Sequence, residues 1–259
     1  MAGFNYKGTA LVTGASSGLG AEFAKQIAEK GMDLVLVARS AEKLESLAKE
    51  LSNKVKVTVI PADLARENAA TAVKKETDSR GIEISLLVNN AGVGTYGRLQ
   101  DIEPEKDHSM TMLNCVAPID LTHAYLPGML ERKHGGLIFL SSIAGYQPTP
   151  YFAAYGATKT FNLMLGESLW EELKGTGVTS LVLSPGYTKT QFQETADVDL
   201  TPPGGFKMAD EVVRLALRKL GRKLSVIPGK RNKVLAWSIR FTPRFMAAKT
   251  AGILSRPKQ

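Results

Sequence analysis

The stretch Thr9-Ala10-Leu11-Val12-Thr13-Gly14-Ala15-Ser16-Ser17-Gly18-Leu19-Gly20 runs a short apolar segment into a glycine-rich turn. Thr9 to Thr13 reads as a β-strand, and the pattern from Gly18 to Lys30 reads as the helix that follows it. The three glycines have separate uses at this junction. Gly14 allows a tight turn, Gly18 lets the backbone approach a pyrophosphate, and Gly20 permits close packing while the helix N-terminus faces the anion. In this strand, turn and helix setting, the motif points to a dinucleotide cradle.

The same alternation continues along the chain. Further strands are expected near Asp33 to Ala38, Lys54 to Ile60, Ile84 to Val88, Leu137 to Ser141, Val178 to Leu183 and Leu224 to Ile227. Most of these runs are nearly continuous in Val, Leu and Ile, as parallel strands covered on both faces require. Helical patterns such as Ala41 to Leu51 and Arg66 to Ser79 supply the crossovers. The expected fold is α/β: a Rossmann-type, doubly wound, mostly seven-stranded parallel sheet with helices on both faces. A single domain would cover residues 1–229, and a basic helical extension residues 230–259. Ligands of such sheets bind beyond the carboxyl ends of the strands, so residues just after each strand carry most of the functional signal.

Composition narrows the function classes. With 259 residues and 44% hydrophobic content, the chain can bury one large core. It has no apolar run of about 18 residues and no secretory pattern at its start, so a cytoplasmic protein is expected. Cys115 is the only cysteine, which excludes an intramolecular disulfide and a cysteine metal cluster. His108, His123 and His134 lack the spacing of a compact metal site, so no metal is expected. The net charge of +8 is unevenly placed. From Val212 to Gln259 there are 13 basic and no acidic residues, leaving 20 basic and 25 acidic residues, net −5, in the rest of the chain. Three readings fit this tract: a helical cap over a pocket or subunit interface, a peripheral contact with an anionic membrane, or a site for acyl-CoA phosphates or nucleic acid. No nucleic-acid-binding motif accompanies the charge, so nucleic acid is not expected as a partner.

Two further features carry chemistry. The second strand ends in Ala38-Arg39-Ser40, about twenty residues past the glycines, where an acidic residue would bind the 2′-hydroxyl of NAD. An Arg fork and a Ser hydroxyl suit a 2′-phosphate instead, which selects NADP(H). Later, Tyr155 and Lys159 stand four residues apart in an expected helix from Tyr151 to Leu173, so phenol and ammonium share one face. A cation beside the phenol is expected to lower its pKa and ready it for proton exchange with an alcohol or carbonyl oxygen.

Taken together these residues resemble the short-chain dehydrogenase/reductase family from about Gly8 to Gly229. Thr13-Gly14-x-x-x-Gly18-x-Gly20 matches the family's cofactor loop, which takes in Ser16, Ser17 and Leu19. Asp63 and Leu64 resemble its adenine-side element, and Asn89-Asn90-Ala91-Gly92 its sheet-stabilising signature. Pro185, Gly186, Thr188 and Thr190 resemble its nicotinamide-side element. Asn114, Ser142, Tyr155 and Lys159 fall where the family places its catalytic four, with Ser142 thirteen residues before Tyr155.

The resemblance implies a hydride transfer between NADP(H) and a carbonyl or secondary alcohol. Tyr155 would exchange the proton, Ser142 would orient the oxygen, and Lys159 would tune Tyr155 and hold the nicotinamide ribose. Ser141 is the neighbouring alternative to Ser142. Asn114 lies in an expected helix from Glu105 to Arg132, four residues before Pro118, which lacks an N–H. The helix should kink there, and the freed Asn114 carbonyl could bind a relay water. An apolar substrate is expected, closed in by Tyr187 to about Lys207 and walled by Tyr146, Tyr151 and Phe152. The competing class is a noncatalytic dinucleotide-binding, membrane-associated redox sensor. Family members commonly pair through the helices that carry Asn114 and Tyr155, so a homodimer or homotetramer is expected.

Overall fold

The computed structural model describes residues 3–189 and 205–257. Seven parallel strands form one sheet in the order β3-β2-β1-β4-β5-β6-β7. They are β1 (Thr9–Thr13), β2 (Asp33–Ala38), β3 (Val57–Pro61), β4 (Ile84–Asn89), β5 (Gly135–Leu140), β6 (Val178–Leu183) and β7 (Ser225–Val226). Because strand side chains alternate, β1 to β6 each feed two cores. Ala10 and Val12 point into one core with Phe23, Leu44 and Val213. Leu11 points into the other with Val73, Tyr125 and Leu163. The helices are sorted accordingly. α1 (Gly18–Ala28), α2 (Ala41–Leu51) and α7 (Ala209–Lys219) cover the first face, and α3 (Ala69–Ser79), α5 (Ala117–Glu131) and α6 (Ala153–Glu172) the second.

The chain winds outward in one direction through β1, β2 and β3, then restarts on the other side of β1 with β4. The resulting switch point lies between the carboxyl ends of β1 and β4. The sequence motifs converge there.

One expected helix is divided. In place of a continuous Glu105 to Arg132 segment, the chain forms α4 (Pro104–Thr111), a π-helical turn (Met112–Val116) and then α5. The amide of Ala117 reaches back five residues to the carbonyl of Met112. Pro118 removes one donor just beyond this point, and the widened turn absorbs the mismatch.

After β7 come α8 (Lys230–Ser238), a 3₁₀ turn (Ile239–Phe241) and α9 (Arg244–Leu254). Among the described residues no helix is long and apolar enough to cross a membrane.

Candidate active site

A cavity of about 710 Å³ opens across the carboxyl ends of the strands. Its floor is the glycine turn. Gly14 adopts φ +65°, open to glycine at little cost. A Cβ on Gly20 would strike the Gly14 carbonyl, so the turn and the helix lie in direct contact. At the start of α1 the N-cap residue Ser17 makes no side-chain cap hydrogen bond, and no acid sits in the first turn, which leaves the helix amides to an anion. Ser16, Ser17, Gly18 and Leu19 all line the cavity here.

Thr13 and Asn90 lock β1 to β4 beneath this turn. The Thr13 hydroxyl donates to the Val88 carbonyl at 3.1 Å and accepts from the Asn90 and Ala91 amides at 2.9 Å each. The Asn90 amide group donates to the carbonyls of Thr13 at 2.8 Å and Gly14 at 3.3 Å. Asn90 therefore shapes the turn as well as lining the cavity.

At one end, Arg39 and Ser40 line the cavity with Asp63 and Leu64. Ser40 caps α2, its hydroxyl accepting from the Lys43 amide at 3.4 Å. Lys43 itself joins the lining. Sequence reading missed this residue, although a second cation one turn past Arg39 was visible in the sequence. Arg39, Lys43 and the α2 N-terminus form a positive end suited to a phosphate.

Toward the other end stand Ser142, Tyr155 and Lys159. The Tyr155 hydroxyl is hydrogen-bonded to Ser142, whose own oxygen accepts from the Ala144 amide at 3.1 Å. Ser141 has a different task. It is buried, and its hydroxyl donates to the Lys159 carbonyl at 2.7 Å, tying α6 to the end of β5. Lys159 is 6% exposed, with Nζ donating to the Leu140 carbonyl at 3.0 Å and lying 5.7 Å from the centre of the Tyr155 ring. A Cβ on Gly92 would sit 3.2 Å from that Nζ and 3.1 Å from Asn114 Oδ1, close enough to press on both.

The electrostatics differ from the sequence expectation. Burial pushes the Tyr155 phenol up to about 12, only partly countered by the Ser142 hydrogen bond. Burial also lowers Lys159 to about 8. Desolvation is the largest cause of both shifts, so the phenol holds its proton at neutral pH.

Asn114 lies behind the cavity wall, with both side-chain atoms engaged. Its side chain exchanges hydrogen bonds with Val93, accepting from the amide at 3.1 Å and donating to the carbonyl at 2.9 Å, and also donates to the Thr158 hydroxyl at 3.0 Å. Its carbonyl was expected to be open to water. Instead it accepts from the Asn162 amide group at 2.7 Å, which leaves one lone pair to spare.

A model of the short chain dehydrogenase family matches residues 8–200 of this chain. The chain belongs to the short chain dehydrogenase family. It is 34% identical over 236 residues to a 7beta-hydroxysteroid dehydrogenase of Collinsella aerofaciens, covering 86% of each chain. It is also 34% identical over 224 residues to a very-long-chain 3-oxoacyl-CoA reductase of Podospora anserina, covering 84% of this chain and 65% of that one. Among solved structures, a short-chain dehydrogenase from Sphingobium yanoikuyae in complex with NADPH superimposes with a TM-score of 0.82 at 32% identity, covering 97% of both chains.

In this short chain dehydrogenase the substrate side is where sequence reading was weakest. Of the expected aromatic wall, Phe152 lines the cavity, stacked obliquely on Tyr96 with ring centres 4.6 Å apart. Tyr146 and Tyr151 do not line it. Tyr146 turns its hydroxyl to Ser184 at 3.4 Å, and the Tyr151 hydroxyl meets Arg256 Nε at 3.4 Å. Ser255 completes the wall, its carbonyl accepting from the hydroxyl of Tyr96, 159 residues away in sequence, at 3.0 Å. No local signal announces that contact.

Pro185, Gly186, Tyr187 and Thr188 line the cavity after β6. The Lys189 amide donates to the Lys207 carbonyl at 2.9 Å, and the Lys207 amide to the Tyr187 carbonyl at 3.0 Å. Thr190 and most of the expected closing segment, including Phe192 and Leu200, lie outside the described residues. Cys115 keeps its thiol protonated because burial raises it.

Proposed function

We propose that this chain is an NADP(H)-dependent oxidoreductase acting on a carbonyl or secondary alcohol, with Tyr155 as general acid/base. The observation that carries the reading is the Ser142–Tyr155 hydrogen bond, facing the same cavity as the glycine turn with Lys159 buried beside it. NADPH, when bound, supplies the hydride that the protein's own side chains cannot. The chain fits that group. Gly14 and Gly20 let the turn pack tightly on Asn90 and Ala91, where a Cβ at either would clash, so that Gly14 and Gly18 present backbone to the cavity, and Arg39, Lys43 and Ser40 offer donors for a 2′-phosphate. The NADPH complex of the Sphingobium yanoikuyae relative supports the same choice of cofactor.

In the reductive direction Tyr155 gives its proton to the carbonyl oxygen as negative charge builds there. A phenol held near 12 starts that step fully loaded. Ser142 shares the oxygen and fixes its approach. Lys159 places a positive charge below the ring that favours the phenolate as it forms. Asn114 bridges Val93 to Thr158, the residue before Lys159 on α6, and offers its remaining carbonyl lone pair to a relay water.

The substrate is a bulky apolar ketone or its alcohol. Support comes from Val93, Leu113, Ile143 and Phe152 in the wall, and from relatives named for a hydroxysteroid and a very-long-chain 3-oxoacyl-CoA. Self-association through α5 and α6 belongs to the same proposal, because α6 leaves Phe161 and Met164 exposed.

Tyr155→Phe tests the mechanism. The variant should bind NADPH as the parent does, by fluorescence titration, and lose carbonyl reduction by roughly a hundredfold or more. Unchanged turnover would overturn the assignment.

A further inference from the structure

A helix on a soluble protein ordinarily turns its large apolar residues inward. The C-terminal tract does the reverse. α8, the 3₁₀ turn and α9 bury Ala236, Ala247 and Ala251, while Trp237, Phe241, Phe245, Ile253 and Leu254 stand between 63% and 76% exposed. Trp237 and Phe241 lie together, with ring centres 4.7 Å apart. Exposed cations are interleaved with them: Lys230, Arg231, Lys233, Arg240, Arg244 and Lys249, with Arg256 just beyond. Among the described residues no carboxylate pairs with any of these seven. The tract has no acidic residue of its own.

We propose that this tract is a docking surface for an anionic lipid bilayer. Exposed aromatic and aliphatic side chains leave water when they enter the headgroup region, and the interleaved cations meet lipid phosphates there. A second copy of the chain fits less well, because pairing the tract with itself opposes two sets of like charges with no acid between them. Nucleic acid would answer the charge and leave Trp237, Phe245 and Ile253 in water. Since no described helix can span a bilayer, the tract lies along the surface. Ser255, next to exposed Leu254, lines the cavity, so docking sets the edge of the cavity against the lipid. The proposal is independent of the hydride chemistry, since its test reads binding alone.

The experiment is co-sedimentation of the full-length protein with vesicles of equal parts phosphatidylglycerol and phosphatidylcholine, against phosphatidylcholine alone, at low and high salt. Pelleting on the anionic vesicles at low salt is expected, weakened by salt. Arg240→Gln and Arg244→Gln should each lower affinity roughly fivefold. Trp237→Ser with Phe245→Ser should lower it by about tenfold or more, while thermal melting stays at the parent value because both side chains are exposed. Equal pelleting on neutral and anionic vesicles, or none on either, overturns the proposal. So does sedimentation velocity showing a dimer that the Trp237→Ser, Phe245→Ser variant loses in the absence of vesicle binding, which would make the tract a self-association face.

Discussion

Burial holds the Lys159 ammonium at about 8 against an ordinary 10.5, so at neutral pH the folded chain carries a charge it would shed more readily than the unfolded chain does. Below about pH 8 both states are protonated and the penalty is fully present. Between about 8 and 10.5 the unfolded chain binds more protons, so this residue makes stability rise with pH across that window. Lys159→Met removes a penalty of about 3 kcal/mol, set against about 1–3 kcal/mol for leaving the Leu140 carbonyl without its donor. The rise between pH 8 and 10.5 should therefore disappear from urea-unfolding measurements on the variant, whichever way its stability at pH 7 moves. Turnover should fall with it, since the charge that destabilises the fold is the one placed beneath Tyr155. A rise that persists in the variant would show that another group causes it. At the opposite end of the cavity, Arg39→Ala should cut the preference for NADPH over NADH by roughly tenfold to a hundredfold, and adding Lys43→Ala should cut it further. The check is the ratio of kcat/KM for the two cofactors. A ratio that does not change in the double variant would remove both cations from cofactor selection.

Among the elements, the π turn at Met112–Val116 shows how tertiary contacts decide what a local sequence leaves open. Pro118 predicts that Asn114 loses a helical donor, but a kink, a π turn or a bound water could each answer that loss. The answer comes from α6, where buried Asn162 donates to the Asn114 carbonyl at 2.7 Å and to the Thr158 carbonyl at 3.0 Å. Asn162→Leu should leave the Asn114 carbonyl without that donor and destabilise the fold by about 1–3 kcal/mol, measurable by urea unfolding. A neutral effect would mean that the π turn stands without α6. The inner strands were legible because they are buried on both faces and must be apolar almost throughout, and β1, β2 and β6 begin and end where the sequence suggests. Edge strands gave weaker signals. β3 starts at Val57, three residues later than the apolar run implies, and β7 shortens to Ser225–Val226. The glycine turn and the Ser142, Tyr155 and Lys159 grouping were legible for a different reason. Each sits just past a strand or on one helix face, so sequence spacing becomes spatial spacing directly.

At the scale of the whole molecule, one cavity joins two ends built from distant parts of the chain. Arg39 and Lys43 belong to the first half of the sheet, whereas Phe152, Tyr187 and Ser255 come from the second half and the C-terminal tract. The first end follows a motif with fixed spacing. The second depends on α9 folding back so that the Ser255 carbonyl receives the Tyr96 hydroxyl, a contact 159 residues apart in sequence. That division should appear in kinetics as a separation of the two Michaelis constants. Ser255→Trp places an indole at the second end, where it takes up room a bulky ketone needs and stays away from the glycine turn. KM for a large apolar ketone should rise by roughly tenfold or more, while KM for NADPH and turnover of a small ketone stay near the parent values. Steady-state kinetics with a large and a small ketone, each at varied NADPH, make the comparison. If the indole raises KM for NADPH as much as for the large ketone, the two ends are not separable, and the cavity wall at Ser255 serves the cofactor.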